Sequence, residues 1–359
     1  MGRVIGRGEI ALEGLEALFD AGHELSALRA ALVELLGPAT RLVGSDRFKS
    51  RVRRLRVETA GSRRSVVVKQ LGAVVAHRNR MVVERWLPAV GLEALGPGLL
   101  AWAADARSSW QIYQDWGDAG LDRDPNDRRR VRAAVRAIAD LHLRFADHPL
   151  LGECRQKGGD LGRAFFGGNA RDALRALEAM APAGVELPGR VHAACDQLMA
   201  QLQGMLDEES DRARALEELG GPETLVHGDL WLTNVFVLPA DDWVRVRLID
   251  WDHAGVARFS YDLSTLLIRF PSSQRPDVLA DYEEAVAARG WRLPDAHSLN
   301  GLFDTAERSR IASHVLWPAL ALLRGDAALR DWALEALPDV NGWFDQLGPV
   351  LPLEQSAVA

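Results

Sequence analysis

Apolar residues along this chain change their period near residue 40 and again after residue 115. Before the first change, Leu12, Leu15 and Leu18, then Leu25, Leu28, Leu32 and Leu35, keep helical spacing on either side of Ala21-Gly22. Two helices are therefore predicted over residues 10–36. From Arg41 to Leu71 the texture is that of strands. Val43 precedes Gly44-Ser45-Asp46, Val52, Leu55 and Val57 follow, and a turn at Ala60-Gly61-Ser62 leads into Ser65-Val66-Val67-Val68-Lys69. A helical segment near 77–87 and strands near 98–103 and 110–114 come next. Asp115-Trp116-Gly117-Asp118 is a natural hinge, because glycine lets the backbone bend. Beyond it Val131, Val135, Ile138, Leu141 and Phe145 mark a helix over 129–145, and further helices are predicted over 174–180 and 191–206. Three short strands (224–226, 235–238 and 244–249) interrupt the helical texture, and four helical stretches follow between 262 and 347. The order predicts an α+β fold, with a small N-terminal antiparallel sheet lobe and a larger, mainly helical C-terminal lobe. Residues 1–37 form a helical extension, 38–115 the first lobe and 116–350 the second; the long segment 143–221 is a candidate substrate lid.

Length and composition suit that picture. A chain of 359 residues, 48% hydrophobic and 26% charged, can bury the core of two lobes or one large domain. No apolar run approaches the ~20 residues needed to span a bilayer, and the start, Met1 to Glu9, lacks the apolar segment of a secretory signal. Cys154 and Cys195 supply neither a disulfide framework nor a zinc cluster, so a cytoplasmic location and no membrane partner are expected. Charge is unevenly spread: residues 38–72 carry ten Lys/Arg against Asp46 and Glu58, and residues 277–345 carry twelve acids against six arginines. The plain reading is two solvated faces. The functional reading is a cationic roof over nucleotide phosphates and an acidic wall suited to a cationic substrate. No aromatic interleaving or nucleic-acid module accompanies the basic stretch, so nucleic acid is not an expected partner. The sequence leaves the oligomeric state open.

The chemistry concentrates in His227-Gly228-Asp229-Leu230-Trp231-Leu232-Thr233-Asn234 and in Ile249-Asp250-Trp251-Asp252. These runs put carboxylates and a carboxamide, all oxygen donors, at the ends of short apolar strands. Phosphoryl transfer needs this kit: an acid to orient the attacking hydroxyl, and oxygen ligands to hold magnesium on a triphosphate. Asp229 is the candidate catalytic base. Asn234 and Asp250 are the candidate metal ligands. Asp252, two residues on, is either a further ligand or a hydrogen-bond acceptor behind one. His227 is expected to stabilise the loop by hydrogen bonds.

The pattern HGD, four residues, Asn, and then a strand ending in Ile-Asp-Trp resembles the aminoglycoside phosphotransferase and choline kinase families, small-molecule kinases of the protein-kinase-like fold. Tyr261-Asp262-Leu263-Ser264 resembles a helix start that these proteins carry after the metal aspartate, and Ala139-Asp140-Leu141-His142 a helix end upstream. The resemblance covers roughly residues 38–345, with its specific motifs between 224 and 265. It implies a two-lobed fold, ATP or GTP with Mg2+ as cofactors, and a small-molecule hydroxyl acceptor. It further implies that Lys69 touches the nucleotide phosphates, that Glu84 positions Lys69, and that Ser45 in Gly44–Ser50 belongs to a nucleotide-positioning loop. The segment Gln111 to Asp115, with Gln114, would contribute the hinge that reads the purine edge. Asp262 would cap the following helix and brace the catalytic loop. The loop at Gly44 has one glycine, a departure from the protein-kinase pattern. The acceptor does not follow from the family: an aminoglycoside, amino-sugar, sugar or amino alcohol would each fit. The alternatives are a catalytically weak pseudokinase or nucleotide-binding protein and, behind it, a metal-dependent phosphohydrolase using Asp229, Asp250 and Asp252.

Overall fold

The computed structural model describes residues 12, 14–19, 25–59, 61–104, 108–240 and 243–352. They form two compact units. One runs up to Arg123 and takes in Asn234–Asp252; the other comprises Asp124–Thr233 and the chain from His253 onward.

The first unit is built on α1 (Ser26–Leu36) and a five-stranded antiparallel sheet of β1 (Arg41–Lys49), β2 (Val52–Thr59), β3 (Ser62–Leu71), β4 (Leu99–Ala104) and β5 (Ser109–Gln114), in the order β1-β2-β3-β5-β4. Strand periodicity decides which side chains face where. Leu55 and Val57, Val66 and Val68, and Trp110 and Ile112 pack against Leu25, Leu28 and Leu32 of the N-terminal segment. The alternate positions Val67 and Lys69, which pair with Tyr113 and Gln111, therefore point to the opposite face. Of the two N-terminal helices expected, the second is α1. The first is a single 3-10 turn, Glu16–Leu18, among the described residues, with Leu12 and Leu15 buried beside it. The expected break at Ala21-Gly22 lies outside the described residues. α2 (Ala73–Met81) continues through a π-helical turn (Val82–Trp86) into α3 (Leu87–Ala89).

The second unit is mainly helical: α4 (Arg128–Phe145), α5 (Leu151–Lys157), α6 (Arg163–Met180), α7 (Gly189–Asp207) and α8 (Glu209–Leu219) come first. β6 (Thr224–Val226) then leads into the HGD run. The chain enters the first unit for the hairpin β7 (Val235–Ala240) and β8 (Trp243–Leu248), and returns through β9 (Gly255–Ala257), which pairs with β6. α9 (Ser260–Leu267), α10 (Arg275–Ala287), α11 (Ala296–Leu323) and α12 (Arg330–Asp345) complete it. Helices α6, α7, α11 and α12 share one core, in which Phe166, Leu177, Leu198, Leu202, Val315 and Leu337 are buried. The apolar stripe of α4 (Val131, Val135, Ile138, Phe145) is buried, and Asp127 caps its first turn by accepting from the Arg129 and Arg130 amides. Among the described residues no helix is long and apolar enough to cross a membrane. Both cysteines are buried, and neither forms a disulfide.

Candidate active site

In the first unit the β7–β8 register builds one cluster. Val235 pairs with Leu248, and the Ile249 amide donates to the Asn234 carbonyl at 2.9 Å, so Asn234 and Asp250 emerge at one end of the hairpin. Asp250 takes φ +64°, a left-handed conformation that aspartate tolerates better than most side chains. Lys69, from the face of β3 that turns away from α1, donates to Asp250 and, at 2.7 Å, to Asp252. Burial alone would lower the Lys69 pKa; the two carboxylates outweigh it and hold the ammonium above its ordinary value. Lys49 lies 3.7 Å from Asp250. Asn79 of α2 donates to Asp252 at 2.9 Å, and Arg78 donates to the Asp252 carbonyl. Tyr113 and Gln111, on the same sheet face, are bonded to each other, and Gln111 donates to the Ala76 carbonyl at 2.8 Å. The cluster thus joins a buried cation to oxygen donors at a strand end.

Two expected placements differ, those of Glu84 and Ser45. Glu84 does not meet Lys69. The buried stripe of its helix is Ala76, Asn79, Val82 and Trp86, and Glu84 lies off that stripe in the π-helical turn, paired with Arg80 four residues earlier. Asn79 is the residue that this helix turns to the cluster. Ser45 lies within β1, opposite Leu55, and the chain reverses beyond it between Lys49 and Val52. Gln114 is the last residue of β5, and its amide is used by the Gly98 carbonyl at 2.8 Å. Beyond it Asp115 accepts from Arg54, Ser65 and the Gly117 amide, which fixes the expected hinge in a hydrogen-bonded turn.

In the second unit β6 delivers the HGD turn. Asp262, fully buried, accepts from the His227 amide at 2.7 Å and the Gly228 amide at 2.9 Å, and lies 3.3 Å from His142 Nε2. The other His142 nitrogen meets the Tyr282 hydroxyl at 2.9 Å. Burial would raise the Asp262 pKa, but His142, His227 and these amides hold it below the ordinary carboxylate value. Its two oxygens are thus committed to the HGD turn, while the N-cap position of α9 is Phe259, which makes no side-chain cap. Gly228 has φ +85°, and a β-carbon there would collide with the His253 carbonyl, so only glycine fits. The Asp229 amide donates to His227 Nδ1 at 3.3 Å, and its carbonyl accepts from the Trp231 amide at 2.9 Å. Leu230 is fully buried and anchors the loop between them.

Residues 53–297 match the model of a phosphotransferase enzyme family. The chain belongs to this family. It is accordingly an enzyme, a phosphotransferase of the small-molecule kinase kind, with the α+β, protein-kinase-like fold. Among curated proteins none matches the chain in sequence. Among solved structures, a spectinomycin phosphotransferase in complex with ADP and spectinomycin has a TM-score of 0.56 at 11% identity, covering 86% of this chain and 93% of that one. A macrolide 2'-phosphotransferase from Brachybacterium faecium has a TM-score of 0.52 at 19% identity, over 90% and 98%. The Plasmodium vivax ethanolamine kinase has a TM-score of 0.52 at 12% identity, over 82% and 79%. At such identities the likeness is one of fold.

Asn79, Arg78 and Lys49 escaped the sequence reading, as did Tyr282 and the bracing role of His142. His142 stood in a quoted motif; Asn79 carried only the weak signal of a polar residue on an apolar helix stripe.

Proposed function

We propose that this phosphotransferase transfers the γ-phosphoryl group of ATP or GTP, with Mg2+, to a hydroxyl of a small molecule. The observation that carries the reading is the pairing of buried Lys69 with Asp250 and Asp252 at the end of the hairpin that begins at Asn234. Among the described residues no group of three or more His, Cys, Asp or Glu side chains encloses a metal. A carboxylate and a carboxamide are hard oxygen donors that suit magnesium shared with phosphates and water, so Asp250 and Asn234, with Asp252 beside them, fit the ion. When bound, the nucleotide and its magnesium supply the transferable group and neutralise part of its charge. Lys69 is the cation for the phosphate oxygens, and Asn79 and Arg78 hold Asp252 in place for it.

Asp229 accepts a hydrogen bond from the acceptor hydroxyl and aligns its oxygen; it takes the hydroxyl proton as the new oxygen–phosphorus bond forms and the bond to the leaving diphosphate breaks. His227 and Asp262 keep the loop in the shape this requires. Catalysis is then positioning and charge stabilisation, with no covalent enzyme intermediate. An acceptor panel read by mass spectrometry tests the reading. A gain of one phosphoryl group on an acceptor, dependent on magnesium, supports it. Phosphate release that needs no acceptor, and that survives Lys69→Ala, contradicts it and favours a phosphohydrolase.

A further inference from the structure

Several of the twelve acids between residues 277 and 345 are engaged by arginines, which reduces the acidic field open to a cationic acceptor. Asp281 is paired with Arg128 and Arg132, Glu284 with Arg132 and Arg136, Asp304 with Arg212 and Arg308, and Glu307 with Arg310. Arg310 is further tied to the Tyr261 carbonyl at 2.9 Å. Arg269, just beyond α9, behaves differently. Its guanidinium carbon lies 3.3 Å from the centroid of the Trp231 ring, two residues past Asp229. At that separation the guanidinium is packed directly over the indole ring. Among the described residues it has no carboxylate within ion-pair distance. Burial holds its pKa below the ordinary arginine value, with Glu307 and Asp229 raising it and Arg310 lowering it.

A guanidinium stacked on an aromatic face keeps its in-plane N–H fork available, and that fork matches the oxygens of a carboxylate or phosphate. Trp231 is 39% exposed, so the stack stands at the surface of the loop. We propose that the Arg269–Trp231 stack recognises the acceptor, and that the acceptor carries a carboxylate or phosphate near the hydroxyl to be phosphorylated. This rests on the kinase reading above. It assigns Arg269 to acceptor binding, with Trp231 as the platform that orients it.

The test uses matched acceptors with ATP and magnesium: gluconate, glucose 6-phosphate, glucose and glucosamine, and a three-carbon set of glycerate, glycerol 3-phosphate, glycerol and 3-aminopropane-1,2-diol. The expected result is transfer to anionic members, at a kcat/KM at least tenfold above their neutral and cationic partners. The carboxylate and phosphate arms show which anion is taken. Arg269→Ala should raise the KM for the anionic acceptor by about 100-fold, the scale of a lost charge-assisted pair. It should leave kcat within about threefold and the nucleotide KM unchanged, with Arg269→Lys restoring part of the loss. A melting curve like that of the parent excludes a folding defect, and Trp231→Phe, which keeps an aromatic face, should retain most of the binding. Transfer confined to neutral or cationic acceptors overturns this inference and leaves the kinase reading standing. So does an Arg269→Ala variant with unchanged acceptor KM or with a raised nucleotide KM. No transfer to any arm, under conditions where the protein binds nucleotide, overturns this inference, and the kinase reading is then decided by the wider acceptor panel and its phosphohydrolase control.

Discussion

Lys69 faces two carboxylates at once and is 12% exposed, so its charge is kept in place by partners and not by water. Removing it leaves Asp250 and Asp252 repelling one another and takes a cation from the proposed phosphate site. Lys69→Ala should lower kcat/KM by about 100-fold or more, the scale of losing a positioned charge in a water-poor site. Steady-state kinetics against both nucleotide and acceptor would check this, and a rate within threefold of the parent would remove Lys69 from the machinery. Gly228 makes a second prediction at the same scale. Its φ of +85° and its approach to the His253 carbonyl leave no room for a side chain. Gly228→Ala should therefore cost roughly 3 kcal/mol, the order of a strained backbone plus a local shift. Chemical denaturation at equilibrium reads that cost directly.

At the scale of elements, the HGD segment is a turn after β6 braced by Asp262 of α9. Asp262 accepts two loop amides and faces His142, with no exposure to solvent. Its folded pKa is depressed, so the stability it contributes is complete above the unfolded carboxylate value of about 4 and is lost as pH falls through the lower folded value. The melting temperature of the parent should fall in that acid window. Asp262→Asn should be destabilised by about 3 kcal/mol near neutral pH, the scale of breaking a buried charged contact, and its melting temperature should change less with acid. A pH series of thermal melts on both proteins checks the two slopes. The sequence made much of this element structure legible. The alternation in β2 and β3 and the 3.6-residue stripe of α4 are strong signals, and β6 lies where Thr224-Leu225-Val226 suggests a strand. The N-terminal helix did not survive as predicted, because the apolar spacing of Leu12, Leu15 and Leu18 is satisfied by a single 3-10 turn and its loop. The resemblance gives Glu84 the role of positioning Lys69, but the buried stripe runs through Asn79 and Val82 and leaves Glu84 to pair with Arg80.

For the whole molecule, the residues assigned to nucleotide and metal, Lys69, Asn234, Asp250 and Asp252, belong to one compact unit. Asp229, Arg269 and the loop supports belong to the other. Nucleotide should therefore stabilise the parent protein by mass action, about 2.7 kcal/mol at a hundred times its Kd. Asp250→Asn should abolish the magnesium-dependent part of that shift, and Arg269→Ala should preserve it. Differential scanning calorimetry with and without magnesium distinguishes these outcomes. The distribution of charge was less readable from sequence than the motifs were. Twelve acids between residues 277 and 345 suggest an acidic wall on paper. Folding instead sets several of them against arginines from α4, α8 and α11, and sequence alone cannot show which distant charges meet.

In the proposed reaction Asp229 orients and deprotonates a small-molecule hydroxyl for phosphoryl transfer. The most direct test of this role is mass-spectrometric detection of the phosphorylated acceptor made by the parent enzyme and by Asp229→Ala, at equal nucleotide occupancy. One added phosphoryl group is expected with the parent, and a fall in kcat of about 100-fold to 10,000-fold in the variant, the range for a lost general base. Transfer by Asp229→Ala at the parent's rate would contradict it.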